Sequence, residues 1–431
     1  MRKNLSYDVI IIGAGAAGLL AAGSAAGCGA RVLVLEKMRQ PGRKLLITGK
    51  GRCNITNDAP LPEFIDHIFP DGRFLRDAFN AFFSHDIISL LNRHGVDTVL
   101  ERGGRIFPAS NRSADVVNGL LRWVKEAGVE IYSGTKVLKP LISEGTIKGV
   151  SAEINGVQEV VSAHKVIICT GGKSYPATGS SGDGYRFAEM AGHKIVPLRP
   201  SLVPLVTEGN IAARLEGLSL KNVRASVLVN GKVSREDFGE MSFGFFGLTG
   251  PIILTLSRFI VDELRNQKKV EVSIDLKPAL DEKKLDARLI RDLNENGKRL
   301  TDNLFRLWLP PKLIPVFLEL LSLDPKKQGH QISSSERTAI LKLLKDLRFR
   351  VTSVRSFKEA IITAGGVSTH EINPKTLESK LIKNLYFAGE ILDLDADTGG
   401  YNLQIAWSTG WLAGMSAGTM NPFADAKKQY R

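Results

Sequence analysis

The segment Tyr7 to Gly18, YDVIIIGAGAAG, constrains the fold of this 431-residue chain more than any other stretch. Tyr7 to Ile12 is a β-branched apolar run of the kind that fills a strand buried on both faces. Gly13-x-Gly15-x-x-Gly18 follows, giving way to a helical stretch near Leu19 to Ala26. A second apolar run, Arg31 to Leu35, then closes on Glu36. Strand, glycine turn, helix, strand and terminal acid within about 30 residues make the βαβ unit of a dinucleotide fold. The glycines let the backbone turn tightly, bring main-chain N–H groups up to a pyrophosphate, and let the helix pack with its positive end toward the phosphates. Glu36 is placed to accept hydrogen bonds from an adenosine ribose.

The uncharged run Val9 to Ala30 is long enough to cross a bilayer, and Arg2 with Lys3 ahead of it imitates a signal peptide. Six glycines within the run, and its division into a strand and an Ala/Gly-rich helix, argue for close helix-on-sheet packing instead. Three cysteines, Cys28, Cys53 and Cys169, are odd in number and never spaced C-x-x-C. That excludes a disulfide scaffold and a dithiol redox pair, and fits a reducing cytoplasm. With 43% hydrophobic and 24% charged residues the chain is an ordinary globular one, and its length suggests two or three domains.

Ser113 to Ala127 reads as an amphipathic helix with Ser113 as N-cap and Gly128 as its stop. Val129 to Val161 alternates as short strands around Gly134, Gly145 and Gly156. This β-meander leads into an apolar strand, Lys165 to Cys169, closed by Thr170-Gly171-Gly172. After Pro197 and Pro200 the character changes: strand-like segments run to about Asp275, and charged helical ones from Asp281 to Leu347. Near Ala360 the glycine-rich character returns. The expectation is a nucleotide-binding domain in two parts, 1–195 and 357–431, interrupted by an inserted domain, 196–356.

Two more clusters carry chemistry. Arg43, Lys44, Thr48, Gly49, Lys50, Gly51, Arg52, Cys53, Asn54, Thr56 and Asn57 join four cations to glycines and small hydrogen-bonding side chains, a loop suited to a diphosphate and the polar edge of a flavin. Cys53 reads as a small packing residue, since no nearby histidine marks it as an activated nucleophile. Near the C-terminus, Asn384 to Glu390 forms a strand ending in the pair Gly389-Glu390. Asp397, Thr398, Gly399, Gly400, Tyr401 and Asn402 follow, opening an apolar helix to about Ala417. That helix aims its N-terminus at a ligand on the first βαβ unit; for a flavin, its dipole favours the anionic edge of the reduced ring. Together these clusters favour FAD over NAD.

The strings YDVIIIGAGAAGL, GRKLLITGKGRCNITN, TGGKSYPATGSSGDGY, FGLTGPIIL, TAGGVS and LYFAGEILDLDADTGGYNLQIAWSTGWLAG resemble the BaiN/RdsA family of FAD-dependent oxidoreductases over nearly the whole chain. The resemblance implies an α/β fold: a Rossmann-like FAD-binding domain interrupted by an inserted β-barrel-like and helical domain. It extends the cofactor-binding set to Ala16, Ala17, Lys37, Val137, Thr170, Gly171, Gly172 and Leu403. It also implies that reduced flavin saturates an activated C=C bond, either in a bile-acid-like enone or in uridine of large-subunit ribosomal RNA, giving dihydrouridine. Where relatives carry a Thr-His pair ahead of FGL(S/T)GP, this chain has Gly244-Phe245, so no proton-donor role transfers to that position.

A net charge of +13 and a pI near 9.5 agree with a polyanionic partner. Residues 196–355 carry 27 Lys/Arg and 19 Asp/Glu, and Arg348, Arg350 and Arg355 interleaved with Phe349 and Phe357 form the most RNA-like stretch. Candidate proton donors are Tyr175, Lys173 and His370. A single dinucleotide fingerprint means that NAD(P)H, as electron donor, binds only transiently. No metal site and no membrane segment is expected. Three readings remain open: ribosomal RNA reduction, reduction of a small enone, and a flavin-loaded RNA-binding or redox-sensing protein without turnover.

Overall fold

Val9 to Ile12 offer solvent no polar side chain on either face, and a computed structural model, describing residues 6–419, buries all four completely or nearly so. Strand β1 (Ser6–Ile12) is the middle of a seven-stranded sheet. On one side lie β2 (Val32–Glu36) and then β3 (Glu130–Ser133); on the other lies β6 (Val157–Ile168), all parallel. Ile10 stands opposite Leu33 and Val166. Strand β7 (Leu385–Phe387) adds in parallel to the far edge of β6. The meander is β4 (Lys136–Ser143), β5 (Thr146–Ile154) and the first half of β6. Sequence divided the meander from an apolar strand at Lys165; they are one continuous strand, pairing antiparallel with β5 first and parallel with β1 and β7 afterwards. Its polar beginning reflects an exposed meander and its apolar end a central parallel strand.

Helix α1 (Ala16–Gly27) starts earlier than the expected Leu19, because Gly15 already caps it in an extended conformation. Helix α2 (Ser113–Glu126) places Ser113 inside its first turn, with Arg112 at the N-cap. The predicted cap is thereby corrected: the Ser113 hydroxyl donates to the Leu46 carbonyl instead. Helix α3 (Tyr401–Gly418) lies along α1. A Cβ on Gly410, Gly414 or Gly418 would come within 2.3, 2.4 and 2.7 Å of the carbonyl oxygens of Ala17, Ala21 and Ala25. Glycines every fourth residue facing alanines every fourth residue let the two backbones touch, which larger side chains would prevent.

The chain divides into two compact units, one running to Pro200 and resuming at Ala360, the other Ser201–Glu359. The second unit contains a closed barrel of six strands: Leu205–Thr207, Ser219–Val229, Lys232–Gly244, Gly247–Thr249, Val270–Asp275 and Leu347–Val354. Val227, Val272 and Phe349 line up across three strands as part of its core. Sequence read strands throughout to about Asp275. Pro251–Arg265 is instead a 15-residue helix, with Pro251 at its start and Ile252, Ile253, Leu256, Ile260 and Val261 buried at helical spacing. Charged helices fill Glu282–Glu295 and Ser334–Lys345.

Candidate functional site

Each glycine of the first turn is there for a different reason. Gly13 has φ +101°, and a Cβ would lie 2.6 Å from the Cys169 carbonyl. Gly18 has no space at all, since its Cβ would sit 1.9 Å from the Gly13 oxygen. Gly15 faces open space, with nothing within 4 Å. The N-terminus of α1 has neither a side-chain cap nor an acid in its first turn, so the N–H groups around Gly15, Ala16 and Ala17 are aimed at that opening. Glu36, nearly buried, fixes the turn by accepting hydrogen bonds from Ala14 N at 2.7 Å and Met38 N at 2.8 Å.

Two other segments meet this turn, and Lys44 and Thr363 are tied to them. Thr170 and Gly171 follow Cys169 directly, and Gly389 approaches Ala17 so closely that a Cβ would be 2.8 Å from the alanine methyl. Lys44 donates to Glu390 Oε2 at 2.5 Å and to Ser174 Oγ at 2.6 Å, while Ser174 Oγ donates to Glu390 Oε1 at 2.6 Å. Thr363 completes the group: its N–H donates to Glu390 at 3.0 Å, and its hydroxyl oxygen accepts from Lys173 N and Ser174 N. Gly172 must lack a side chain, because a Cβ would meet both Thr363 Oγ1 and Glu390 Oε1. Ser174 and Thr363 are fully buried and escaped the sequence reading, although both lie inside strings quoted for the family resemblance.

Around α3 a second group forms. Gly400 has φ +103° and lies against the Thr56 carbonyl. Asn57 donates to the Gly399 and Gly103 carbonyls. Asn402 ties the loop by accepting from Ala396 N and donating to the carbonyls of Ala396 and Asp397. His67, invisible in the sequence, clamps the same loop. Its Nδ1 pairs with Asp397 Oδ2 at 2.9 Å, its ring stacks on Tyr401 at 4.3 Å, and Asp397 N donates to its carbonyl. The hydrogen bond to Asp397 raises the His67 pKa above its ordinary value, against the opposing effect of burial. Burial, with Glu63 and Asp397 nearby, pushes Tyr401 up to about 12.

Other predicted residues have separate tasks. Lys37 pairs with Asp183 at 2.6 Å and with Ser181. Burial draws Asp183 upward, but the hydrogen bonds from Lys37 and Ser181 outweigh it and leave the carboxyl below its usual range. Arg52 points to Glu101 and Asn111 and lies over Phe107. Thr56 donates to Gln404 in a buried network with Ser408. Thr48 bonds the Leu45 carbonyl, Arg43 and Gly49 are exposed, Gly51 has φ +85°, Val137 is buried in β4, and Leu403 is half-buried in α3. Cys53 is fully buried, and that burial pushes its thiol up to about 12, so it is a packing residue. Lys173 is exposed and Tyr175 half-buried on the turn held by Thr363. His370 is exposed on a different turn, where its carbonyl accepts from Lys380.

A model of the HI0933-like protein Rossmann domain matches residues 7–416. The chain belongs to this family. Among curated relatives, the 3-dehydro-bile acid delta(4,6)-reductase of Clostridium scindens is 32% identical, covering 94% of this chain and 98% of the relative. The ribosomal RNA dihydrouridine synthase of Escherichia coli is also 32% identical, covering 94% and 96%. The fold is shared with the 3-ketosteroid-delta4-(5alpha)-dehydrogenase of Rhodococcus jostii, at TM-score 0.52 and 15% identity over 97% of this chain and 98% of that one. This HI0933-like protein is an FAD-dependent oxidoreductase.

The residues present fit FAD. Both α1 and α3 begin without a side-chain cap or an acid in the first turn, which leaves two sets of N–H donors for an anionic ligand. Asn54 Oδ1 is buried with no hydrogen-bond partner among the described residues, as expected of an acceptor awaiting a donor. Among these residues no group of His, Cys, Asp and Glu can hold a metal ion, and no helix is long and apolar enough to cross a membrane.

Proposed function

We propose that this protein is a cytoplasmic reductase acting on an activated carbon–carbon double bond, and that the bond is C5=C6 of a uracil base in large-subunit ribosomal RNA. The observation carrying this reading is the pair of relatives at equal identity over 94% of the chain, one named a delta(4,6)-reductase and the other a dihydrouridine synthase. Both names denote hydrogen added across such a bond. The net charge of +13 favours the polyanionic substrate of the two.

In this reading the Gly13–Gly18 turn with α1 holds the pyrophosphate and Glu36 the ribose. Lys44, Asn54, Thr170 to Gly172, Gly389, Glu390 and the N-terminus of α3, with the Asp397 to Leu403 segment, hold the flavin end. Bound and reduced, FAD supplies a hydride, its electrons coming from NAD(P)H that binds transiently. The chain must deliver a proton to the neighbouring carbon, C5 of the base. We assign that task to Tyr175 or Lys173, because the turn bearing them is fixed through two hydrogen bonds to Thr363. His370 ranks behind them, on a turn tied to Lys380 and Lys194.

Mass analysis of ribosomal RNA from a deletion strain tests the reading. Loss of one dihydrouridine is expected, and its persistence would reject the RNA substrate. The second reading, a small enone, is favoured by the equal likeness to the bile acid enzyme. Salt separates the two. RNA affinity should fall with log[salt] at a slope of roughly 0.7 to 0.9 per phosphate neutralised, whereas enone binding should barely change.

A further inference from the structure

The strands Lys232–Gly244 and Gly247–Thr249 are joined by a two-residue hairpin turn, and both turn residues, Phe245 and Phe246, are phenylalanine. Neither has a positive φ, so the backbone here does not demand Asn, Asp or Gly, yet hairpin tips normally carry polar residues that tolerate water. A sequence that sets aside local turn chemistry without a packing gain points to a functional position. Here the packing gain is small, since Phe245 is 60% exposed. The local structure nevertheless holds the pair in place. The rings meet edge to face with centroids 5.1 Å apart. Phe246 lies where a Cβ on Gly244 would be, 2.8 Å from its ring, and Gly247 lies against the Leu205 carbonyl. The Arg355 guanidinium sits 5.0 Å from the Phe246 centroid and 5.6 Å from that of Phe245, kept there by Glu359 at 2.6 Å and by its own N–H bonded to Pro204.

We propose that Phe245, Phe246 and Arg355 form a stacking platform for an unpaired nucleobase of RNA, a proposal that rests on the RNA reading above. An exposed aromatic ring beside a guanidinium is the arrangement that single-stranded nucleic-acid binders use: the base stacks on the ring while the cation interacts with π-faces and backbone. Residues 196–355 as a whole carry an excess of 8 positive charges, the sign that favours a polyanion such as RNA. All three arginines of the stretch are paired with carboxylates, Arg348 with Asp346, Arg350 with Glu208 and Arg355 with Glu359, so ion pairing does not tell them apart. What distinguishes Arg355 is that it also packs on two aromatic rings, the exposed Phe245 and the half-buried Phe246.

The test uses the full-length, flavin-loaded protein and a fluorescein-labelled oligouridylate, with affinity read by anisotropy. Phe245→Ala should weaken binding about 10-fold while Phe245→Trp retains it. Affinity for heparin, which has charge but no bases, should stay unchanged in both. Flavin absorbance and melting temperature of the variants check that folding is intact. Equal affinity of wild type and Phe245→Ala for oligouridylate would overturn the platform. So would no detectable wild-type binding, or a loss seen only with a steroidal 4-en-3-one. The outcomes separate from those for the reaction. A deletion strain that keeps its dihydrouridine rejects the reaction and leaves the oligonucleotide result standing. A strain that loses it, with Phe245→Ala unaffected, rejects the platform alone.

Discussion

The Gly13–Gly18 turn and the strand Leu347–Val354 tolerate change very differently. In the turn, backbone meets backbone: a single carbon added at Gly18 would overlap the Gly13 carbonyl. In the strand, residues alternate between the barrel interior and water, and the Arg348 and Arg350 side chains are 49% and 54% exposed. The turn's geometry is set by close main-chain contacts, while the strand's outer face is held by screened ion pairs worth little each. A site built from main-chain groups is therefore brittle, and one built from surface side chains is permissive.

Gly18→Val is the sharpest way to break this contrast. Overpacking against backbone is expected to cost roughly 3 kcal/mol or more, and the purified variant should carry almost no flavin by its visible absorbance. Normal flavin content would show that the turn can yield. Lys44→Met comes next. It strands the Glu390 carboxylate, which is 12% exposed, and should lower stability to urea by about 2 to 3 kcal/mol. The double variant Lys44→Met/Glu390→Leu should recover part of that loss, and failure to recover would assign the cost to packing rather than to the ion pair.

His67 gives a smaller, pH-dependent effect. Its pKa is raised in the folded protein, so the stabilisation from Asp397 is fully present below the ordinary value of 6.5 and is lost as pH rises through the higher folded value. Wild type should exceed His67→Asn in stability by at most about 1 kcal/mol below pH 6, given the 35% exposure of the ring. The gap should close toward pH 9 in parallel melting curves; a constant gap would leave stacking on Tyr401 as the whole contribution. Smallest of all, Arg348→Ala and Arg350→Ala should change oligouridylate affinity less than about twofold, and a larger loss would restore the strand as an RNA contact.

The sequence made the βαβ unit legible because its signal is local: a strand's apolar run, three glycines and an acid within one short segment. It did not reveal that Leu347–Val354 is a barrel strand, for an equally physical reason. Arg-Phe-Arg alternation is the signature of a nucleic-acid stretch and also of a strand with one face in a barrel core. The pairing of Phe349 with Val272, and its contact with Phe243, establish the strand and leave the outward arginines to be tested as an RNA contact. The helix Pro251–Arg265 was hidden by the β-branched residues of its opening, PIIL. Ser174, Thr363 and His67 were missed because their partners lie 216, 27 and 330 positions away. No spacing rule reaches that far.

The glycine stripe of α3 also sets an order of events. Ala17, Ala21 and Ala25 are made long before residues 410 to 418, whose backbone covers them. At about 5 to 20 residues per second, translation from α1 to the end of α3 takes roughly 20 to 80 s. All residues of the inserted barrel have emerged before that covering helix begins. The nascent chain must therefore carry an open, apolar helix face until residues 410 to 418 are made, and the nucleotide-binding unit, although begun before the inserted barrel, closes after the barrel's residues are complete.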